Sequence, residues 1–171
     1  DKGWTQWPEP LRLRDRKALS LAQKNLARDI ARVEFEQFVF FTQWHEIREY
    51  ARQRGVLMFG DMPIFVAHDS ADVWAHSKNF MLDEMGEPVF VAGVPPDAFS
   101  ETGQRWGNPL YDWAAMQADR FKWWQARFKT QYELFDLIRI DHFRGFDACW
   151  QIPAHERTAV EGEWVKAPGR D

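Results

Sequence analysis

The chain has 171 residues, 45% of them hydrophobic, which is enough to pack a core and excludes a disordered polymer. Its 22 Lys and Arg against 26 Asp and Glu leave a net charge of −4 and no basic stripe, which argues against a nucleic-acid partner. There is no run of about 20 apolar residues to span a membrane, and with Cys149 as the single cysteine there is no internal disulfide or cysteine-pair zinc site, so a cytoplasmic setting is expected. The chain starts Asp1-Lys2-Gly3-Trp4 and stops at Pro168-Gly169-Arg170-Asp171, with neither an initiator Met nor a signal pattern, and an internal segment of a longer protein is expected.

In chain order, Arg14 to Ile30 predicts a polar helix rich in Ala, Leu, Lys and Arg. A second helix follows, with Phe38, Phe41, Trp44, Ile47 and Ala51 marking one buried face and Gly55 as its stop. Val56 to Gly60 is an apolar run of strand length that ends on Asp61-Met62-Pro63. A third helix is predicted from Asp112 to Phe135, and the apolar run Leu137-Ile138-Arg139-Ile140 predicts a strand that ends in the charge cluster Asp141-His142-Phe143-Arg144. The order helix, strand, helix, strand is that of a parallel α/β sheet, in which a carboxylate at a strand end stands where an active site forms. From the local pattern alone, Arg139 and Asp141 are equally well read as a surface ion pair.

Asp61 and Asp141 stand 80 positions apart, whereas a plain βαβ unit needs about 30 residues, so a long insertion from about Ile64 to Asn108 is inferred. Asp83-Glu84-Met85-Gly86 reads as a hairpin turn and Pro95-Pro96-Asp97 as the start of an extended loop. Phe80, Phe90, Val91, Val94, Phe99 and Trp106 give the insertion enough apolar surface to be ordered. The aromatic content, 16% of the chain, is mostly core, but an aromatic face also packs on the C–H-rich side of a sugar ring.

Four blocks carry a resemblance: Gly60-Asp61-Met62-Pro63-Ile64-Phe65-Val66-Ala67-His68-Asp69-Ser70-Ala71-Asp72-Val73-Trp74; Ala92-Gly93-Val94-Pro95-Pro96-Asp97; Thr102-Gly103-Gln104-Arg105-Trp106-Gly107-Asn108-Pro109-Leu110-Tyr111; and Arg139-Ile140-Asp141-His142-Phe143-Arg144-Gly145-Phe146. In this order they resemble the signature blocks of the 4-α-glucanotransferases (amylomaltases, or disproportionating enzymes) of glycoside hydrolase family 77. Trp4 to Arg14 and Ala159 to Gly169 extend the match to essentially the whole chain.

The resemblance implies residues 1–171 of one catalytic domain, part of a (β/α)8 barrel of the α-amylase clan, with the insertion at about 64–108 as an active-site loop. It implies transfer of an α-1,4-glucan segment to the 4-hydroxyl of a glucose or glucan acceptor, by a retaining mechanism that needs neither cofactor nor metal. Asp141 matches the nucleophile, and Arg139, on the same side of the strand, matches the arginine that orients it and keeps it ionised. Asp61 matches an aspartate at the subsite for the reacting glucose, and Asp97, Gln104, Trp106 and Asn108 fall in the active-site loop, with Trp106 packing on glucose or anchoring the loop. His142 is a second-tier substrate contact or a packing histidine, and Ala98 departs from the family pattern, in which a large aromatic follows Asp97.

His68, Asp69 and Asp72 lie close enough in sequence to suggest a metal site, but Ser70-Ala71-Asp72 reads better as a helix start capped by Ser70 or Asp69. The family's acid/base glutamate lies downstream of the Trp164-Val165-Lys166-Ala167-Pro168-Gly169 motif, so these residues alone are expected to be inactive. Two other readings fit the same features: an α-glucan hydrolase of the amylase clan, and a maltooligosaccharide-binding module without chemistry.

Overall fold

A computed structural model describes residues 2–169. The chain divides into two compact units.

One unit takes in Pro8–Met62 and Trp124–Arg139. Its helices are α1 (Glu9–Arg12), α2 (Arg16–Asn25) and α3 (Ala27–Arg52), followed by strand β1 (Phe59–Pro63). Asp15 starts α2 by accepting from the backbone N–H of Lys17 at 3.0 Å and Ala18 at 2.9 Å, which satisfies two of the donors that every helix start leaves open. The boundary between the two predicted helices falls at Leu26, so the second starts earlier than its apolar stripe suggests. Gly55, at φ +69°, closes the C-terminal end as predicted. The stripe itself is only partly covered: Phe41, Trp44 and Ala51 are half-buried, whereas Phe38 and Ile47 are exposed.

The covered part of α3 meets the end of helix α6 (Lys122–Leu134) and the start of strand β4 (Leu137–Asp141). The Trp44 indole donates to the Leu134 carbonyl at 2.7 Å and packs edge-on against Phe135. Arg48 donates to the carbonyls of Tyr132, Glu133 and Phe135, filling the acceptors left open at the end of α6. Arg48 and Arg52 also converge on Asp136, which accepts from the Met58 N–H as well, and these donors hold its carboxyl far below the usual carboxylate range. This knot brings β1 and β4 together as a two-stranded sheet. Alternation then sorts their side chains. Asp61 lies on the exposed side of β1, and Arg139 and Asp141 on the exposed side of β4.

The other unit contains Pro63–Trp123, the N-terminal segment through Trp7 and the C-terminal segment from Ile140 onward. Here the structure adds a second sheet that the sequence reading does not anticipate. Strands β2 (Phe90–Val94) and β3 (Gln104–Pro109) come from the insertion, and β5 (Ala148–Pro153) and β6 (Glu163–Lys166) follow Asp147. They form a four-stranded sheet in the order β3-β2-β5-β6, antiparallel at the β2–β3, β2–β5 and β5–β6 pairings. Val91, Ile152 and Ala159 form its core, with Trp150 and Ala154 packed against them.

Around this sheet several local signals read as the sequence predicts. Asp83 closes the 83–86 turn by accepting from the N–H groups of Met85 and Glu87, and Ser70 caps helix α4 (Ala71–Ala75) through the Val73 N–H. The single predicted helix over 112–135 is instead two, α5 (Trp113–Ala118) and α6, separated where Arg120 and Phe121 both take positive φ. No described helix is long and apolar enough to cross a membrane.

Candidate active site

The site is built where β4 ends. Asp141 is the last strand residue, and His142 turns left-handed at φ 55°, ψ 46° before a single tight helical turn over Phe143–Phe146, closed by the Gly145 N–H donating to the His142 carbonyl at 2.9 Å. The break in strand geometry takes His142 out of the strand's alternation and turns its ring toward the aromatic groups of β3 and of the segment after β1.

Asp141 and His142 line a cavity of about 430 Å³ together with Pro63, Ile64, Phe65, Ala67, Trp106 and Asn108. Its wall rests on Tyr111, which is buried, donates its hydroxyl to the Ile64 carbonyl at 2.5 Å, and stacks on Phe65 at 5.7 Å. Asn108 donates to the Val66 carbonyl at 2.9 Å, tying β3 to the segment that follows β1. Trp106 is 38% exposed and its indole N–H donates to Gln104 Oε1 at 3.1 Å. Part of the indole is therefore open to solvent. Burial of the His142 ring lowers its pKa below the ordinary 6.5; Asp141 opposes the shift and Arg144 adds to it.

The expected site residues fall into three places. Asp141, Trp106, Asn108 and His142 share the cavity, and Gln104 supports it through Trp106. Asp97 sits in the loop between β2 and β3, where its Oδ1 accepts from the N–H groups of Phe99 and Ser100, both at 2.8 Å; Phe99 is fully exposed there. Asp61 and Arg139 face each other across the β1–β4 pair. The guanidinium engages the carboxylate in a fork, Nε to Oδ1 at 2.9 Å and Nη2 to Oδ2 at 2.5 Å, which lowers the Asp61 pKa. Arg139 thus has a carboxylate partner the sequence did not pair it with, while remaining on the same strand face as Asp141.

The three residues that suggested a metal site go separate ways. His68 Nε2 meets the Gly86 carbonyl at 2.7 Å, Asp69 accepts from the Trp4 N–H at 3.2 Å, and Asp72 accepts from the Trp123 indole at 3.1 Å. Sequence reasoning did not single out Phe65 or Tyr111 as members of the site. Both lie inside the matching blocks, but an aromatic residue there carries no signal that separates wall from core.

The geometry is that of a carboxylate at a strand end beside a partly exposed indole, in an open cavity of a mixed α/β chain. Comparison with known proteins identifies the family. The glycoside hydrolase family 77 model, described as 4-alpha-glucanotransferase, matches residues 1–171, and the chain belongs to that family. It is 57% identical to a 4-alpha-glucanotransferase of Thermus thermophilus over 97% of this chain and 33% of that protein, and 51% identical to one of Synechocystis over 99% and 34%. The fold is similar to that of an amylomaltase from Streptococcus agalactiae solved in complex with acarbose, with a TM-score of 0.93 and 39% identity over 98% of this chain and 34% of that one. The chain thus spans about a third of the length of the curated relatives it matches.

Proposed function

We propose that this chain contributes the nucleophile side of the active site of a 4-α-glucanotransferase that moves α-1,4-glucan segments between a maltooligosaccharide or glucan donor and a glucose or glucan acceptor. The observation that carries the reading is the placement of Asp141 at the end of β4, opening into the cavity that also exposes Trp106. In the (β/α)8 domain we propose for the whole protein, β1 and β4 are two of the eight strands, β1 carrying Asp61 two residues before its end and β4 ending in Asp141.

Retaining transfer takes two carboxyl groups about 5 Å apart. Asp141 attacks the anomeric carbon of the donor as the bond to the departing oxygen breaks, and the second carboxyl protonates that oxygen. The covalent glucosyl-enzyme is then attacked by the 4-hydroxyl of the acceptor, which gives its proton back to the second carboxylate, and Asp141 leaves with its electron pair. Arg139 holds Asp61 ionised and oriented for sugar hydroxyls and adds positive charge on the strand face that carries Asp141. Trp106 packs on a glucose ring, with Gln104 steadying the indole and Asn108 and His142 beside it. The loop of Pro95 to Asn108, held at its tip by Asp97, excludes water so that an acceptor sugar outcompetes it.

Asp141 is the one carboxylate among the lining residues of the cavity. We assign the second carboxyl to the part of the protein outside these 171 residues. Incubated with maltotriose, the 171-residue chain leaves it unchanged, while a protein extended to the length of its relatives yields glucose and longer maltooligosaccharides. Asp141→Asn in that longer protein lowers transfer by at least about a thousandfold. Chain-length redistribution by the 171 residues alone overturns the assignment of the second carboxyl. Full transfer by the Asp141→Asn enzyme overturns the nucleophile, and glucose release without longer products favours a hydrolase.

A further inference from the structure

We propose that His142 is a positioning residue that fixes the tilt of the Trp106 indole over the cavity, and so sets how tightly sugar is held there without itself taking part in bond making. The proposal rests on the reading of Trp106 as a sugar platform. Three observations lead to it.

The His142 ring meets the Trp106 indole in an edge-to-face contact, with centroids 4.9 Å apart and planes at 88°. This is a favoured geometry for an aromatic pair and resists rotation of either ring. Phe65 lies 6.4 Å from both rings and is itself buried and stacked on Tyr111, so the three rings form a triangle with one corner anchored in the core.

Trp106 has weak support of its own. Its indole N–H reaches Gln104, two residues away on the same strand and itself exposed. Such a tie restricts one end of the ring and leaves rotation about the side chain to the packing. His142 supplies that packing from another element.

The third observation is how His142 uses its own polar atoms. Its Nε2 is buried and makes no hydrogen bond among the described residues. The left-handed backbone, which histidine adopts more readily than most residues, leads out of the strand and delivers a flat ring to the edge of an indole.

Two variants of the 171-residue chain test this. His142→Asn tolerates the left-handed backbone and removes the ring, and His142→Phe retains a ring and removes the imidazole nitrogens. The Trp106 indole N–H resonance, assigned by its loss in Trp106→Phe, and maltotetraose affinity from tryptophan fluorescence are the readouts. We expect His142→Asn to shift the resonance and weaken maltotetraose binding about three- to tenfold, and His142→Phe to keep affinity within about twofold, as the worth of one aromatic pair implies. If the wild-type chain binds but neither readout responds to His142→Asn, the proposal is overturned. It is also overturned if His142→Phe loses as much affinity as His142→Asn, since the imidazole then contacts sugar directly. A wild-type chain that binds no maltotetraose overturns instead the reading of Trp106 as a platform.

Discussion

The four-stranded sheet carries Gln104 and Trp106 on its edge strand β3, so a defect in the β2–β3 pairing should reach the cavity. Gly93→Ala tests this. A Cβ built at Gly93 would lie 2.2 Å from the Gln104 carbonyl oxygen and 2.5 Å from Ile152 Cδ1. The oxygen belongs to the backbone and Ile152 is fully buried, so neither neighbour moves without shifting the strand. Ordinary contact needs more than an ångström of extra separation, and overpacking on this scale costs about 3 kcal/mol or more. Gly55→Ala is the control. Gly55 has a positive φ of 69° with nothing within 4 Å of its Cβ, so an alanine there meets backbone strain alone, about 1 kcal/mol. With a denaturant slope of about 2 kcal/mol per molar, the urea midpoint of the sheet-bearing unit should fall by about 1.5 M for Gly93→Ala, and that of the helical unit by about 0.5 M for Gly55→Ala. Maltotetraose affinity should weaken for the first variant only. Equal midpoint shifts, or an unperturbed midpoint for Gly93→Ala, would refute the argument from close backbone approach.

The remaining predictions concern titration and reactivity. Burial pushes the Cys149 thiol up to about 11, so it should react with a thiol-specific disulfide reagent at pH 8 only as fast as the sheet opens, and rapidly in urea; fast reaction in native conditions would contradict the buried strand position. The pH dependence of stability should have two separate windows. His142 has a folded pKa below 6.5, so the unfolded chain takes up its proton first, and stability is complete above pH 6.5 and declines as pH falls below it. His142→Asn should remove this decline in urea unfolding measured from pH 7.5 to 5. Asp61 and Asp136 have depressed pKa values, so their contribution is complete above 3.8 and is lost as pH falls through their folded values; Asp136→Asn should flatten the acid limb, and an unchanged limb would argue against the arginine knot.

What was legible in the sequence was whatever had a local cause. The strand ending at Asp141, the turn at 83–86 and the Ser70 cap all depend on neighbours within a few residues, and they stand where the sequence puts them. The antiparallel sheet was not legible. β5 is buried on both faces, so its sequence lacks the alternation that announces a strand, and its partner β2 lies in a stretch dense in Gly and Pro that reads as loop. The break between α5 and α6 was hidden for a different reason. It falls at Arg120 and Phe121, residues that seldom take positive φ, and no Gly or Pro marks it. The apolar stripe of α3 was read correctly as a stripe and wrongly as wholly buried: periodicity shows which residues share a face but not how much of that face is covered.

Arg139 shows where reasoning within one strand runs out. Residues i and i+2 share a face, and the alternating exposure of β4 bears this out for Arg139 and Asp141. A guanidinium on a long side chain also reaches across to the next strand, where Asp61 offers both oxygens at once, and a two-point fork is stronger than a single contact along the strand. That cross-strand pairing depends on β1 and β4 being neighbours, to which the Asp136 knot contributes through Arg48, Arg52 and the Met58 N–H.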